Sequence, residues 1–276
     1  MSFRQKGEIA GTASAPSVRD LRPRLFFSRA LFAILLLSVA YSVANVAAPF
    51  TLAPGTAVHL DGFANRVDNG AVYNTWPLFP MVVYYLGDVQ CHQMAARTIF
   101  LNGNEMPMDA RMSSIYFWAN LGLIAAMFAT PSTSVAQGLV NALPKRVQPW
   151  VRRHLGPNVA VGLIVFLGLL PVAVDGFTQL LTPYESTNVK RFLTGIPGGF
   201  VAGLLVGVMV TSIRQVELET RELRARVRAL RNPPAKEEDA RPVASRSDAV
   251  LPSETTPRTL HPDARPLAGD APRQGF

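Results

Sequence analysis

Four long apolar runs, separated by polar segments, dominate the pattern of the chain. A membrane-spanning helix needs about 20 predominantly apolar residues, and four segments approach that length: 31–50, 113–130, 157–174 and 192–213. None of the four contains a charged residue. The pattern therefore predicts an all-α integral membrane protein, built as a four-span helical bundle within a membrane domain at 25–213.

A fifth apolar run, at 76–86, is too short to span a bilayer and contains Pro77 and Pro80. We interpret it as one short helix at the membrane interface, with a re-entrant segment over 76–89 as the alternative. The first long run exceeds the core of a usual signal peptide, which reaches roughly 15 residues. We therefore expect it to be an uncleaved anchor.

The positive residues, which give a formal net charge of +8, are concentrated next to the ends of the runs. Positive loops favour the cytoplasmic side. The arm at 1–24, the loop at 131–156 and the segment at 214–231 are rich in arginine and lysine, whereas 47–112 has more acids than bases. Four spans with both termini cytoplasmic satisfy these biases. The charge thus predicts a multi-pass protein of the cell membrane, with the lipid bilayer as its partner and no nucleic acid.

Polar segments flank the predicted membrane domain. Residues 1–24 read as a flexible cytoplasmic arm, and 232–276 as a disordered tail, because the tail is rich in proline and nearly free of aromatic residues. Between them, 214–231 is predicted to be a cytoplasmic amphipathic helix or a short coiled coil. Its apolar positions alternate in steps of three and four: Ile213, Val216, Thr220, Leu223, Val227 and Leu230.

Four glycines of the last run recur at every fourth position: Gly195, Gly199, Gly203 and Gly207. Such a GxxxG stripe lies on one face of a helix and lets another helix approach closely. The stripe therefore predicts tight helix packing. Either this face or the 213–230 helix could serve as the contact in a homo-oligomer.

A dense polar cluster lies between the last two runs, at 175–191. It contains Asp175, Gln179, Glu185, Asn188 and Arg191. Ionisable groups beside a bilayer are costly, so the cluster predicts either a site or a charge-paired structural core. Arg191 could pair with Asp175 or with Glu185 across the gap between the helices.

A second polar cluster precedes the second run. It contains Cys91, His92, Arg97, Asp109 and Arg111. In the four-span topology both clusters lie on the outer side of the membrane, and nothing local in the sequence requires this convergence. Cys91, His92 and Asp109 are candidate ligands for a divalent metal ion, although adjacent Cys and His is not a standard chelating spacing.

These motifs resemble a family of bacterial and archaeal integral membrane proteins known only as a domain of unknown function. The resemblance rests on four motifs: Cys91-His92-Gln93 with Arg97; Asp109 to Tyr116; Asp175-Gly176-Phe177-Thr178-Gln179; and Glu185-Ser186 with Asn188, Arg191, Thr194 and Gly195. Asp109 and Met112 stand where family members have cysteines. The resemblance implies a membrane protein and brings no established activity with it.

Three functions are consistent with this pattern. The first is a membrane-embedded enzyme or binding protein for a lipid or lipid-linked ligand, with a polar pocket at the outer face and Asp175, Glu185 and His92 as catalytic candidates. The second is a small oligomeric transporter or channel. The third is a structural scaffold with a charge-paired core. Ligand contacts are predicted for Gln93, Arg97, Arg111, Tyr116, Gln179, Ser186, Asn188, Arg191 and Thr194. Whether the protein is an enzyme stays open.

Overall fold

The computed structural model describes residues 28–231 and is mostly helical. Its helices are α1 Arg29–Ala47, α2 Gly70–Tyr73, α3 Leu78–Gln90, α4 Ala110–Phe128, α5 Val135–Ala142, α6 Gln148–His154, α7 Gly156–Leu181 and α8 Asn188–Arg231. Its strands are β1 Thr98–Leu101 and β2 Asn104–Asp109, and 3₁₀ turns occupy Ala48–Thr51 and Ala95–Arg97. The arm predicted at 1–24 and the tail predicted at 232–276 lie outside the described residues.

Among the described residues, three helices are long and apolar enough to cross a membrane: the segment Arg29–Thr51, α7 and α8. The predicted span at 113–130 corresponds to α4, which has 19 residues. Polar side chains such as Arg111 and Asn120 dilute its apolar composition. Length and composition therefore establish three candidate spans and leave the fourth to be argued from packing.

The glycine stripe of α8 packs against α4 within the same chain. A Cβ atom added at Gly203 would lie 2.0 Å from the carbonyl oxygen of Ala119, and one at Gly199 would lie 2.4 Å from that of Ile115. From the opposite side, a Cβ at Gly122 would lie 2.1 Å from the carbonyl oxygen of Phe200. The two helices touch backbone to backbone. The stripe is thus not free for a second copy, so of the two predicted oligomer surfaces only the 213–230 helix stays a prediction.

The first helix covers the other side of α4. Leu31 of α1 packs in one buried cluster with Leu123 and Met127 of α4. Farther along, the Asn120 amide donates to the Ser42 hydroxyl at 2.9 Å, which satisfies two polar groups that lipid could not. With α8 on one side and α1 on the other, α4 is the central helix of the bundle.

The last helix is longer than its apolar run. The sequence predicted a span at 192–213 and a separate helix at 214–231, but α8 is one helix of 44 residues. Its only internal proline is Pro197. Similarly, α7 extends to Leu181, beyond the predicted end of its span at residue 174, and so carries Asp175 and Gln179 on one helical turn.

A small cap built from residues 48–109 lies beside the bundle. It has its own apolar core, formed by Ala48, Leu52, Ala57, Leu60, Tyr73, Val83 and Tyr84. A two-stranded antiparallel sheet completes it. This sheet was not predicted from the sequence. Its strands are joined at Asn102 and Gly103, both with positive φ (51° and 70°), as a tight hairpin turn requires.

Helix α3 has two different faces. Val83, Tyr84 and Asp88 are buried against the cap, and Gly87 approaches β2 so closely that a Cβ there would lie 2.2 Å from the Pro107 carbonyl oxygen. The other face exposes large apolar side chains: Leu78, Phe79, Val82, Leu86 and Val89. A helix of 13 residues with one exposed apolar face is typical of the membrane interface.

Candidate functional site

Asp175 is the centre of a polar network between α4, α7 and α8. Its Oδ2 atom forms an ion pair with Arg111 and accepts hydrogen bonds from Gln179 Nε2 (2.8 Å) and Ser186 Oγ (3.1 Å). The Asp175 side chain is only 9% exposed. A carboxylate removed from water needs a counter-ion and further hydrogen-bond donors, and Asp175 has both.

Arg191 joins the same network from the first turn of α8. Its Nε atom donates to Ser186 Oγ at 3.0 Å, and its Nη2 atom donates to Gln179 Oε1 at 2.9 Å. The residue is 2% exposed. The predicted pairing of Arg191 with Asp175 or Glu185 is wrong, because those carboxylates form ion pairs with Arg111 and Arg97. Arg191 reaches Asp175 only through Ser186 and Gln179.

The rim of the network brings the two predicted polar clusters together. Arg97, just before β1, contacts Glu185 at 3.3 Å, and Asn188 donates to the carbonyl oxygen of Thr98 at 3.0 Å. Arg97 and Glu185 are 88 residues apart in sequence. Glu185 keeps 63% of its side chain exposed. This pair is therefore solvated, unlike the buried pair of Arg111 and Asp175.

Several buried polar atoms around the network have no hydrogen-bond partner among the described residues. They are Arg97 Nε, Arg111 Nε, Arg191 Nη1 and Asn188 Oδ1. A buried donor without a partner costs free energy. Three arginines with spare donors thus surround two paired carboxylates, so the cluster has capacity to bind a further acceptor group.

Other predicted ligand residues have structural partners elsewhere. Gln93 is fully buried in the cap, where it accepts from Tyr73 Oη at 2.5 Å and donates to the Pro107 carbonyl oxygen at 2.8 Å. Tyr116 donates its hydroxyl to Gln90. Thr194 donates to the Arg191 carbonyl oxygen at 3.0 Å, but its side chain also lines a groove described below.

Cys91, His92 and Asp109, the predicted metal ligands, do not form a common centre. No group of three or more His, Cys, Asp or Glu side chains suited to a metal ion exists within residues 28–231. His92 is exposed, and its Nδ1 atom lies 3.1 Å from the backbone nitrogen of Ala64. The assignment of a metal stays a prediction with no geometric support.

The other two predicted metal ligands, Cys91 and Asp109, are explained by local contacts, since Cys91 Sγ accepts from the Asp109 backbone nitrogen at 3.4 Å. Burial raises the pKa of the Cys91 thiol to about 11, so the group remains a neutral thiol at physiological pH. Asp109 caps the start of α4 by accepting from the Met112 backbone nitrogen at 2.7 Å. The requirement for a helix cap explains this carboxylate without any ligand.

Two buried acids of the cap, Asp88 and Glu105, have a structural role that was not predicted from the sequence. Asp88 accepts from the backbone nitrogens of Asp68 and Asn69, and Glu105 accepts from that of His59. Burial raises the pKa of both carboxyl groups. Their role is to hold the 57–69 loop against α3 and β2.

An apolar groove runs beside the network between α7 and α8. Its volume is about 620 Å³, and its lining combines apolar side chains with a few polar ones: Leu170, Pro171, Val174, Asp175, Thr178, Tyr184, Lys190, Leu193 and Thr194. Asp175 therefore belongs both to the groove and to the buried network. The sequence predicted a polar outer-face pocket with Asp175 and Thr194 among its residues, and the apolar lining of this groove was not predicted.

Lys190 and Tyr184 provide the polar end of this groove. The Lys190 ammonium donates to the Tyr184 hydroxyl at 3.2 Å and lies 5.3 Å from the centre of the Tyr184 ring. A lysine beside a tyrosine at the end of a span is typical of the membrane–water interface. Tyr184 and Lys190 stand just before the apolar run 192–213, so the sequence contains this interface signal.

The fold and the composition together define a helical membrane protein. Residues 91–205 match the family described as "Predicted membrane protein (DUF2085)". An uncharacterized protein of Methanothermobacter thermautotrophicus is 30% identical over 119 residues, which cover 43% of this chain and 86% of the relative. Another, of Methanocaldococcus jannaschii, is 29% identical over 131 residues, which cover 48% of this chain and 70% of the relative. The chain belongs to this membrane-protein family.

No solved structure matches the chain significantly. The matched region, 91–205, contains the whole Asp175 network and most of the glycine stripe. The polar network and its packing are therefore inside the part that the family model describes, while the exposed end of α8 lies beyond it.

Proposed function

We propose that the protein binds a phosphate-bearing amphiphile, such as a phospholipid, in the groove between α7 and α8. One observation carries this proposal: the apolar groove shares Asp175 with the buried polar network and has Lys190 at its rim. Binding sites for small molecules are typically apolar concavities with a few placed polar groups. An amphiphile matches both parts of this lining.

The two ends of the groove fit the two ends of such a ligand. Leu170, Val174 and Leu193 offer an apolar wall for an acyl chain. Lys190 is exposed and can form a charge-assisted hydrogen bond with a phosphate. Asp175 Oδ1 forms no hydrogen bond within residues 28–231, since all the contacts of this carboxylate use Oδ2. It can accept from a hydroxyl or ammonium group of the ligand head.

The geometry favours binding over catalysis. A general base must contact its substrate, whereas the Oδ2 atom of Asp175 is already held by Arg111, Gln179 and Ser186. Glu185 is paired with Arg97 at the rim, and the contacts of His92 are with residues 62–64 of the cap. The three catalytic candidates thus each have different partners.

The topology that we propose has four spans, with α4 as the second, and both termini in the cytoplasm of a cell-membrane protein. The central packing of α4 between α1 and α8 supports this count, because a helix covered on both sides by spans lies at membrane depth. Arg111, near its start, has its counter-ion in Asp175, as an ionisable group at that position requires.

Cysteine labelling tests this topology. In intact cells, a membrane-impermeant maleimide should label Thr56→Cys in the cap and leave Lys145→Cys in the loop before α6 unlabelled; permeabilised cells should show both. Both positions are exposed, and the native Cys91 is buried and gives a low background. Labelling of Lys145→Cys in intact cells would contradict the proposed orientation.

The groove predicts a specific loss of bound lipid. Lys190→Gln should retain about tenfold less phosphatidylglycerol, as measured by native mass spectrometry of the purified protein, because one charge-assisted hydrogen bond is lost. Thr178→Trp should fill the groove and reduce retention further. Arg146→Gln, on an exposed loop position, is the matched control and should retain lipid normally.

Two further results separate the alternatives. If inorganic phosphate competes with the lipid at millimolar concentration, the site recognises the phosphate and the acyl chain adds little. If Lys190→Gln and Thr178→Trp both fold and both retain lipid at the level of the unaltered protein, the groove is not a lipid site. The polar network would then be a structural scaffold.

A further inference from the structure

The end of α8 beyond the apolar run presents an uncovered apolar stripe. Residues 221–231 are exposed without exception. The apolar side chains at the alternating positions are between 46% and 82% exposed: Ile213, Val216, Leu223, Val227 and Leu230. Exposed to water, such an apolar stripe promotes aggregation unless another surface covers it.

Because α8 is one continuous helix, its geometry argues against a lipid surface as the cover of this apolar stripe. The uncharged run 192–213 is about 33 Å long at 1.5 Å per residue, close to the thickness of a bilayer core. Arg214 follows at once, and α8 continues unbroken to Arg231. The one proline inside α8, Pro197, lies within the apolar run. A helix that crosses the membrane cannot also lie flat on it without a break at the boundary.

The stripe has the residue types of a parallel two-stranded coiled coil. With Ile213 at position a of the heptad, the a positions are Ile213, Thr220 and Val227, and all are β-branched. The d positions are Val216, Leu223 and Leu230. β-Branched residues at a with leucine at d favour two parallel strands. A second copy inserted in the same membrane has the same orientation, so its helix is necessarily parallel.

Charges beside the stripe agree with this pairing. Glu219 occupies position g and Arg224 the following position e, which face each other across a parallel dimer. Within residues 28–231, Glu219 is bonded only to Gln215 (2.9 Å) of its own helix and has no ion-pair partner. Glu217, in contrast, is already bonded to Arg214 and Arg221 of the same helix. The like-charged Arg226 and Arg231 would face each other in the last turn, which weakens the coil at that end.

We infer that residues 213–230 form a short parallel coiled coil with a second copy of this chain. So short a coil would be marginal between free peptides. Its two strands extend from spans confined to one bilayer, which raises their effective concentration. The dimer contact is separate from the groove and from the glycine stripe, so it stands independently of the ligand.

Disulfide formation in membranes tests this contact. Leu223→Cys, at position d, should cross-link to a dimer under mild oxidation, whereas Ala225→Cys, on the opposite face at position f, should cross-link at least about fivefold less. The unaltered chain, whose single Cys91 is buried, is the blank. Equal yields at residues 223 and 225 would overturn the inference, and protection of the Leu223→Cys thiol by anionic vesicles without cross-linking would assign the stripe to lipid instead.

Charge exchange adds a test that does not depend on a cysteine. Fluorescence energy transfer between labelled copies in lipid vesicles would measure the dissociation constant. Glu219→Arg should weaken the dimer about tenfold, because each of two symmetric attractions becomes a repulsion. Arg224→Glu should do the same, and the double exchange should restore the affinity. An unchanged constant in all three variants would exclude the parallel pairing.

Discussion

Asp175→Asn should lower the free energy of unfolding by roughly 3 kcal/mol, the largest effect that we expect for any polar residue of the bundle. The substitution leaves Arg111 without its counter-ion. A charge that stays buried after its partner is removed costs roughly 3 to 5 kcal/mol. We expect the lower end because Arg111 keeps 19% of its side chain exposed. Equilibrium unfolding in detergent measures the change.

A second substitution identifies the partner. Arg111→Gln in the Asp175→Asn background should recover most of the lost stability, because no unpaired charge remains. Arg191→Gln in the same background should not, since Arg191 contacts Asp175 only through Ser186 and Gln179. Recovery by Arg191→Gln and not by Arg111→Gln would contradict the structure in favour of the sequence-based pairing.

The exposed pair provides the matched control. Glu185→Gln removes a carboxylate of the same type from Arg97, but Glu185 is largely solvated. Exposed ion pairs contribute between about 0 and 1 kcal/mol. The stability should therefore change little, and a loss as large as that of Asp175→Asn would show that exposure does not distinguish the two pairs.

Local spacing in the sequence predicted the neighbours of Asp175 on its own helix, but it could not predict partners that are distant in sequence. Asp175 and Gln179 are four residues apart, so a helix that continued past Gly176 had to bring them together, and α7 does continue. Arg111 is 64 residues from Asp175. Nothing local favours it over Arg191 as the counter-ion. That choice depends on the tertiary contact that brings Arg111, at the start of α4, to Asp175 of α7, and no short-range pattern in a single sequence encodes such a contact.

The hairpin of the cap has a clear local signal in the sequence. Asn102-Gly103 is the strongest short-range signal for a hairpin, and it does join β1 and β2. The hairpin was not predicted, and the strands that flank this turn have only four and six residues. Gln93, predicted to bind a ligand, instead satisfies buried groups of the cap.

The groove between α7 and α8 illustrates a limit of hydropathy patterns. Leu170, Val174 and Leu193 have the same composition as any lipid-facing surface. Only the separation of two helices turns such residues into a concavity. In contrast, the glycine stripe predicted close packing correctly, since four residues without side chains on one face have few other uses.

Gly203→Ala should destabilise the bundle by about 3 kcal/mol or more, although it adds a single methyl group. The new Cβ would lie 2.0 Å from the Ala119 carbonyl oxygen and 2.6 Å from the carbon of the same group. These are backbone atoms, so no side-chain rotation relieves the overlap, and α4 and α8 must move apart. Overpacking of a tight core typically costs about 1 to 3 kcal/mol. Because this overlap is with backbone atoms, we expect a cost at the upper end of that range or above it.

Two glycines of the same bundle separate this effect from helix propensity. A Cβ at Gly198, on the α7 side of α8, would meet its nearest atom at 3.5 Å, and one at Gly162 would meet no atom within 4 Å. Alanine stabilises a helix interior by up to about 1 kcal/mol relative to glycine. Gly198→Ala and Gly162→Ala should therefore be neutral or slightly stabilising in the same unfolding measurement. If Gly203→Ala matched them, α4 could not be packed against the stripe, and the central place of α4 in the four-span bundle would fail with it.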